Sequence, residues 1–263
     1  MDKLIIGFVQ ADLAWEDTTA NLSHFEEQIA RFENSPNVIV LPEMFSTGFS
    51  MEPVRIAEPA NFTTTRWMLQ IAAQYNALVV GSIAVREEQN YYNRLLAVKP
   101  DGTYQVYNKR HLFRMGNEHE VYSQGLERIT VEWQGWKICP LICYDLRFPV
   151  WSRQDNDNMY DVLLYVANWP TARQGVWDTL LRARALENQS FVIGVNRLGE
   201  DGKGVPHSGN STIVDFKGSV LIDAKDQADV FTTTISKSEL EKFREKFPAY
   251  LDADSFEIKK GEN

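Results

Sequence analysis

Residues 137–149 read Lys-Ile-Cys-Pro-Leu-Ile-Cys-Tyr-Asp-Leu-Arg-Phe-Pro. The apolar run at 138–142 has the length and character of a buried strand. It stops at Cys143, and the Tyr-Asp-Leu-Arg-Phe-Pro that follows opens a turn leading into a helix. A thiol at such a junction is presented at the carboxyl end of a strand, where layered α/β proteins take their substrates. It also sits at the amino end of a helix, which stabilises a thiolate. Cys143 therefore reads as a catalytic nucleophile. The competing reading is an inert core thiol, the commoner fate of a free cysteine, and residues elsewhere in the chain decide between the two.

Outward from this stretch, apolar strand-like runs alternate with amphipathic segments. Strands are expected at 4–10, 37–41, 77–86, 91–99 and 103–109, the last two joined by the Pro100-Asp101-Gly102 turn. A second hairpin is expected from 126–133 and 136–143. Further strands follow at 162–167, 191–196, 210–215, 220–222 and 230–235. Helices fit 17–32, a segment from Asn61 or Thr63 to 76, 171–188, and 236–247 with Ser238 as a cap and Pro248 as a stop. Neither a linker nor a repeat interrupts the order, so residues 1–248 read as one domain. Residues 249–263 read as a polar tail, disordered or docked on a partner subunit. The strands are nearly continuous apolar runs, which requires both faces of each sheet to be covered. The pattern suits two sheets stacked face to face with helices outside.

Composition bounds the function. The 263 residues are 44% apolar and 24% charged, with a formal net charge of −9. That balance argues against nucleic acid or an anionic membrane as the main partner, since either needs a basic face. No apolar run approaches the roughly 18–20 residues of a membrane span, and the amino terminus lacks a signal-peptide pattern. The chain reads as cytoplasmic. Its two cysteines, Cys139 and Cys143, would lie about 13 Å apart on one strand. A disulfide tolerates at most about 7 Å between Cα atoms, so no bridge is expected. The spacing is not Cys-x-x-Cys and histidine is scarce, which points away from a redox pair or a zinc site.

Two ionisable residues besides Cys143 end apolar strands or begin the loops after them. Glu43 follows Val-Ile-Val-Leu-Pro, and Lys109 follows Tyr-Gln-Val-Tyr-Asn. A charge in such a place is costly unless paired or solvated. Singly they read as a rim carboxylate and a surface lysine. Together with a thiol they are what acyl transfer needs. A carboxylate takes the thiol proton and later activates water, and an ammonium stabilises the thiolate and the oxyanion.

Three segments carry a resemblance. Leu41-Pro42-Glu43-Met44-Phe45, Tyr107-Asn108-Lys109-Arg110-His111-Leu112-Phe113 and Ile142-Cys143-Tyr144-Asp145-Leu146-Arg147-Phe148-Pro149 resemble the signature segments of the nitrilase superfamily of carbon–nitrogen hydrolases, in its order. Val166-Ala167-Asn168-Trp169-Pro170 and the 182–188 helix segment extend the likeness from about residue 4 to 235. The resemblance implies a four-layer α-β-β-α sandwich, dimerised through helices near the nucleophile and the carboxyl-terminal region. It implies hydrolysis of a non-peptide carbon–nitrogen bond through a thioester, with no metal or organic cofactor.

In that scheme Glu43 is the general base, Lys109 the oxyanion stabiliser, Cys143 the nucleophile, and the Tyr144 N–H a second oxyanion donor. A second glutamate is implied between the Lys and Cys segments: Glu118, with Glu120 as the fallback. Trp169 and Phe45 are candidates to line the pocket.

The Cys-Tyr-Asp-Leu-Arg-Phe-Pro and Ala-Asn-Trp-Pro segments look most like the ω-amidase branch, which acts on the terminal amide of 2-oxoglutaramate or 2-oxosuccinamate. Such a substrate carries a carboxylate, for which Arg147 and Arg173 are candidate cations. Two alternatives stand beside this: an amidase for deaminated-glutathione-like or N-carbamoyl compounds, and a non-catalytic interaction module on the same fold.

Overall fold

The structure, a computed structural model, describes residues 1–154 and 159–259. Two mixed sheets lie face to face with helices on their outer sides. In the first sheet the hydrogen-bonded order is Asp229–Ser236, Lys3–Gln10, Val38–Val40, Leu78–Glu87, Asn90–Val98, Tyr104–Asn108. In the second it is Val220–Asp223, Thr212–Val214, Phe191–Asn196, Val162–Ala167, Trp136–Ile142, Val131–Trp133. The expected stacked arrangement is the one observed.

The period-two alternation of a strand explains why these runs are apolar throughout. Val38 and Val40 face the second sheet and join the central core with Leu4, Ile6, Leu141, Leu164 and Ile193. Ile39 and Leu41, one residue out of phase, face outward. There they meet Phe25 and Ile29 of the Thr18–Ile29 helix and Met68 and Ile71 of the Thr63–Tyr75 helix. On the far side, Trp177 and Leu181 of the Gln174–Asn188 helix and Leu240 of the Lys237–Lys246 helix cover the second sheet. Both faces of each sheet are thus buried, at roughly 1.5–3 kcal/mol per large aliphatic side chain.

Several elements depart from expectation. The carboxyl-terminal helix is capped by Ser236, whose side chain accepts from the Glu239 N–H, and not by Ser238. Only Val131–Trp133 of the expected 126–133 strand pairs. A short ladder between Leu198–Glu200 and Pro206–Ser208 was not anticipated. Leu186 of the Gln174–Asn188 helix, although apolar, is 54% exposed. Within the tail, Ala249–Asp252 forms one 3-10 turn, and residues 260–263 lie outside the described residues.

In the second sheet the central strands Trp136–Ile142, Val162–Ala167 and Phe191–Asn196 are parallel. Their carboxyl ends therefore share one edge, and Cys143, Asn168 and Arg197 follow them in turn. Glu43 follows Val38–Val40 in the facing sheet. This edge is where the chemistry gathers.

Candidate active site

Glu43, Lys109, Glu118 and Cys143 meet at that edge, all buried. The Lys109 ammonium lies 2.8 Å from Glu43 Oε1 and 3.1 Å from Glu118 Oε1. Glu118 is the first residue of the one-turn helix Glu118–Val121, and its other oxygen accepts from the Phe113 N–H at 2.6 Å. Glu120, the alternative second glutamate, is exposed, so geometry favours Glu118. Cys143 Sγ lies 3.9 Å from the Asn168 carbonyl oxygen. The three residues separated by 66 and 34 positions in the chain are brought together as expected.

Neutral polar groups hold the carboxylates in place, and sequence reasoning missed most of them. Asn93 donates from Nδ2 to Glu43 Oε1 at 2.8 Å and to Glu118 Oε1 at 3.2 Å. Its own oxygen accepts from Ser82 Oγ at 2.9 Å. Ser82 Oγ in turn accepts from the Met44 N–H, which fixes the left-handed turn at Met44 (φ 45°) just after Glu43. Asn168 donates its backbone N–H to Glu43 Oε2 at 2.7 Å and its amide to the Glu43 carbonyl. The available signal was a pair of small polar residues, Ser82 and Asn93, within the buried stretches 78–85 and 93–98 of two strands.

The nucleophile turn is braced from below by Asp145. Its carboxylate accepts from the Ile142 N–H, the His111 N–H and the Tyr107 hydroxyl, and lies 2.8 Å from His111 Nδ1. Cys143 adopts φ 42° in this turn. The residues after it form a five-residue 3-10 turn, Cys143–Arg147, and the expected helix beyond that turn is a single turn, Pro149–Ser152. Such a short turn offers little dipole to a thiolate. Burial pushes the Cys143 thiol well above its ordinary range, and the Glu43 carboxylate adds to this while Lys109 opposes it. The expectation of a helix-stabilised thiolate is therefore corrected: the resting group is a neutral thiol beside a carboxylate.

Burial alone would discharge Lys109, but the Glu118 and Glu43 carboxylates outweigh it and raise its pKa. Lys109 is a fixed cation over the whole working range. Burial raises Glu118 as well, against the pull of Lys109. The arrangement supplies a thiol, an adjacent carboxylate base and a permanent ammonium, which is the set needed for acyl transfer through sulfur.

A cleft of about 420 Å³ opens onto Cys143 and Lys109. Trp169 forms part of its wall, as the sequence suggested, with Tyr144, Phe113 and His207. Phe45 does not reach it. Its ring packs against Phe25 at 5.5 Å and Trp67 at 5.8 Å between the first sheet and its helices. Two positions past Glu43, after a left-handed turn, the side chain points outward and not into the cleft. Arg147 and Arg173 both line the cleft. Among the described residues no group of three or more His, Cys, Asp or Glu converges as a metal-ion site.

Comparison with known proteins gives the same picture. The family model for carbon–nitrogen hydrolases matches residues 5–245. The chain is 48% identical to the omega-amidase YafV of Escherichia coli K12, over 98% of this chain and all of that protein. It is 32% identical to a 2-oxoglutaramate amidase of Bacillus subtilis, covering 95% and 97% of the two chains. Among solved structures it superimposes with a TM-score of 0.96 on XC1258 of Xanthomonas campestris, a CN-hydrolase superfamily protein with an arsenic adduct in its active site. That chain is 44% identical, with 98% of this chain and all of the other covered. With the stacked sheets and a buried acid, amine and thiol at one edge, a match over nearly the whole length leaves one assignment: the chain belongs to the carbon–nitrogen hydrolase family.

Proposed function

We propose that the protein is an ω-amidase, hydrolysing the terminal amide of 2-oxoglutaramate or 2-oxosuccinamate to the dicarboxylic keto acid and ammonia. The observation that carries the reading is the convergence of Glu43, Lys109 and Cys143 below one cleft. Whole-length likeness to proteins named omega-amidase and 2-oxoglutaramate amidase supplies the substrate class.

In this reading Glu43 takes the Cys143 proton as Sγ attacks the amide carbon, forming the C–S bond. The developing oxyanion is stabilised by Lys109 and the Tyr144 N–H. Collapse breaks the C–N bond, and Glu43 passes its proton to the departing nitrogen, which leaves as ammonia. Water then enters, Glu43 removes its proton, and hydroxide attacks the thioester. The second collapse releases the carboxylic acid and restores the thiol. Glu118 keeps Lys109 charged and oriented through both steps. The raised thiol pKa makes proton removal part of the attack and explains why a carboxylate stands beside the sulfur.

Ammonia release from 2-oxoglutaramate tests this, with turnover lost by at least about 10³-fold in Cys143→Ala. A wild-type protein that releases no ammonia from any short ω-amide keto acid would overturn the substrate class.

We further propose that two copies pair through a carboxyl-terminal face and that residues 1–248 act as one domain. Leu186 at 54% exposure, Phe247 at 60% and Leu251 at 62% are large apolar side chains left to solvent. Leu186 and Phe247 flank a common hollow with Arg153 and Tyr250, the kind of surface that subunits cover. Sedimentation velocity should show a dimer that weakens in Phe247→Asp; a monomeric wild type would remove the pairing. Two unbridged cysteines, one a nucleophile, suit a reducing compartment, and we place the protein in the cytoplasm.

A further inference from the structure

We infer that Trp15, which stands outside the cleft, fixes two of its walls relative to each other and so sets the length of amide substrate accepted. The substrates named below rest on the ω-amidase reading.

One wall is the hairpin of Leu198–Glu200 and Pro206–Ser208, which brings Asp201, Lys203, Val205 and His207 to the cleft that holds Cys143. This two-stranded ladder is separate from both main sheets. A lone ribbon of two strands is marginally stable in water, so its place depends on what it is tied to. Its tip is stiff in itself. The Asp201 carboxylate accepts from the Lys203 and Val205 N–H groups, and the Asp201 N–H donates to the Val205 carbonyl. A second wall is the segment after Glu43, which contributes Phe49 and Met51.

Residues 11–16 join the two. On the hairpin side the Leu198 N–H donates to the Ala11 carbonyl at 2.9 Å, and Arg197 pairs with Asp12. On the other side the Glu16 N–H donates to the Thr47 carbonyl at 2.8 Å. The Trp15 indole touches both stretches. A Cβ on Gly48 would stand 3.1 Å from its Cε3, and one on Gly202 would stand 2.3 Å from its Nε1. The hairpin backbone therefore lies directly on the ring. Gly202 is not in the left-handed region, so contact with the indole, and not backbone conformation, is what calls for glycine there.

Trp15 is half-buried and lies behind the cleft wall. The reacting groups are held by other partners: Glu43 by Asn93 and Asn168, and the Cys143 turn by Asp145. Removing the indole thus frees the hairpin wall while leaving the acid, amine and thiol in place. A cleft whose wall recedes admits a longer chain and grips a short one less well. One methylene discriminates by about 10–200-fold in a fitted site, so a small shift of the hairpin is enough to change chain-length preference.

The test compares kcat/KM for the four-, five- and six-carbon acids 2-oxosuccinamate, 2-oxoglutaramate and 2-oxoadipamate. The wild type should favour the five-carbon over the six-carbon acid by about 10-fold or more. In Trp15→Ala that ratio should fall about 10-fold, through a higher KM for 2-oxoglutaramate with kcat held within about threefold. Trp15→Phe should keep most of the ratio. Gly202→Ala, which drives a methyl group against the ring and pushes the hairpin off it, should shift the ratio the same way. Added to Trp15→Ala it should change little more. If Trp15→Ala does not fold, Gly202→Ala decides alone. A second measurement reads the cleft without a substrate: labelling of Cys143 by N-phenylmaleimide relative to iodoacetamide should rise in both variants. Length and labelling ratios that stay at wild-type values, with all three acids losing equally, would show that Trp15 only supports the fold and would overturn the inference. A wild type that hydrolyses none of the three acids would overturn the ω-amidase reading instead, and the labelling ratio would still decide the role of Trp15.

Discussion

At Cys143 the backbone lies at φ 42°, in the left-handed region, which costs a non-glycine residue of order 1–3 kcal/mol unless its surroundings impose it. Asp145 imposes it, accepting from the strand that ends at Ile142 and from the segment that carries Lys109. The nucleophile and the cation are thereby held to one carboxylate. Glu43 stands over a thiol that burial keeps protonated, so reactivity toward an electrophile depends on the neighbouring base and not on a standing thiolate. Iodoacetamide should label Cys143 and leave Cys139 untouched. Cys139 is fully buried, and its thiol is pushed up to about 12 by that burial. Glu43→Gln should slow labelling of Cys143 by about 10²-fold or more at pH 7, followed by peptide mass spectrometry. Equal slow labelling of both thiols in the wild type would remove the activated nucleophile.

The elements were legible wherever burial was continuous, as with the 162–167 and 191–196 strands, because nothing but a two-sided sheet explains a run with no polar phase. The loops were less so, and Gly125 shows why. Its N–H donates to the Lys109 carbonyl at 2.8 Å, and a Cβ there would stand 2.0 Å from the Asn108 carbonyl oxygen. The close approach ties the loop carrying Glu118 against the end of the Tyr104–Asn108 strand. Gly125→Ala should separate them, destabilising the fold by about 1–3 kcal/mol in urea unfolding. Activity should fall further than stability alone explains; a variant with wild-type kcat/KM would show the contact to be incidental. A sequence records Gly125 as a turn residue and gives no sign of the partner backbone. The same limit hid Asn93, a neutral amide inside a strand whose two carboxylate partners come from distant segments. Glu43, Lys109 and Cys143 were readable because an ionisable side chain after an apolar strand demands an explanation. Phe45 was misplaced because nearness to Glu43 in sequence says nothing of which face its side chain takes.

Across the whole molecule, the cluster of charges at the sheet edges makes stability depend on pH, and His207 gives a separable part of that dependence. It is 6% exposed, its Nδ1 has no hydrogen-bond partner among the described residues, and it feels the charges of Arg197, Asp201 and Glu43. Burial first, and Arg197 second, lower its pKa from 6.5 to about 4. The unfolded chain therefore binds a proton below about pH 6.5 that the folded chain refuses until about pH 4. Stability from this group is complete above pH 6.5 and is lost as the pH falls through that window, by about 1.4 kcal/mol per pH unit and about 2–3 kcal/mol by pH 4.5. His207→Gln keeps a polar side chain of similar reach without the titration. The fall in unfolding free energy between pH 7 and pH 4.5 should shrink by that amount in the variant, measured by urea denaturation at both values. If the two proteins lose stability in parallel, His207 titrates alike in both states and the acid sensitivity resides in the carboxylates.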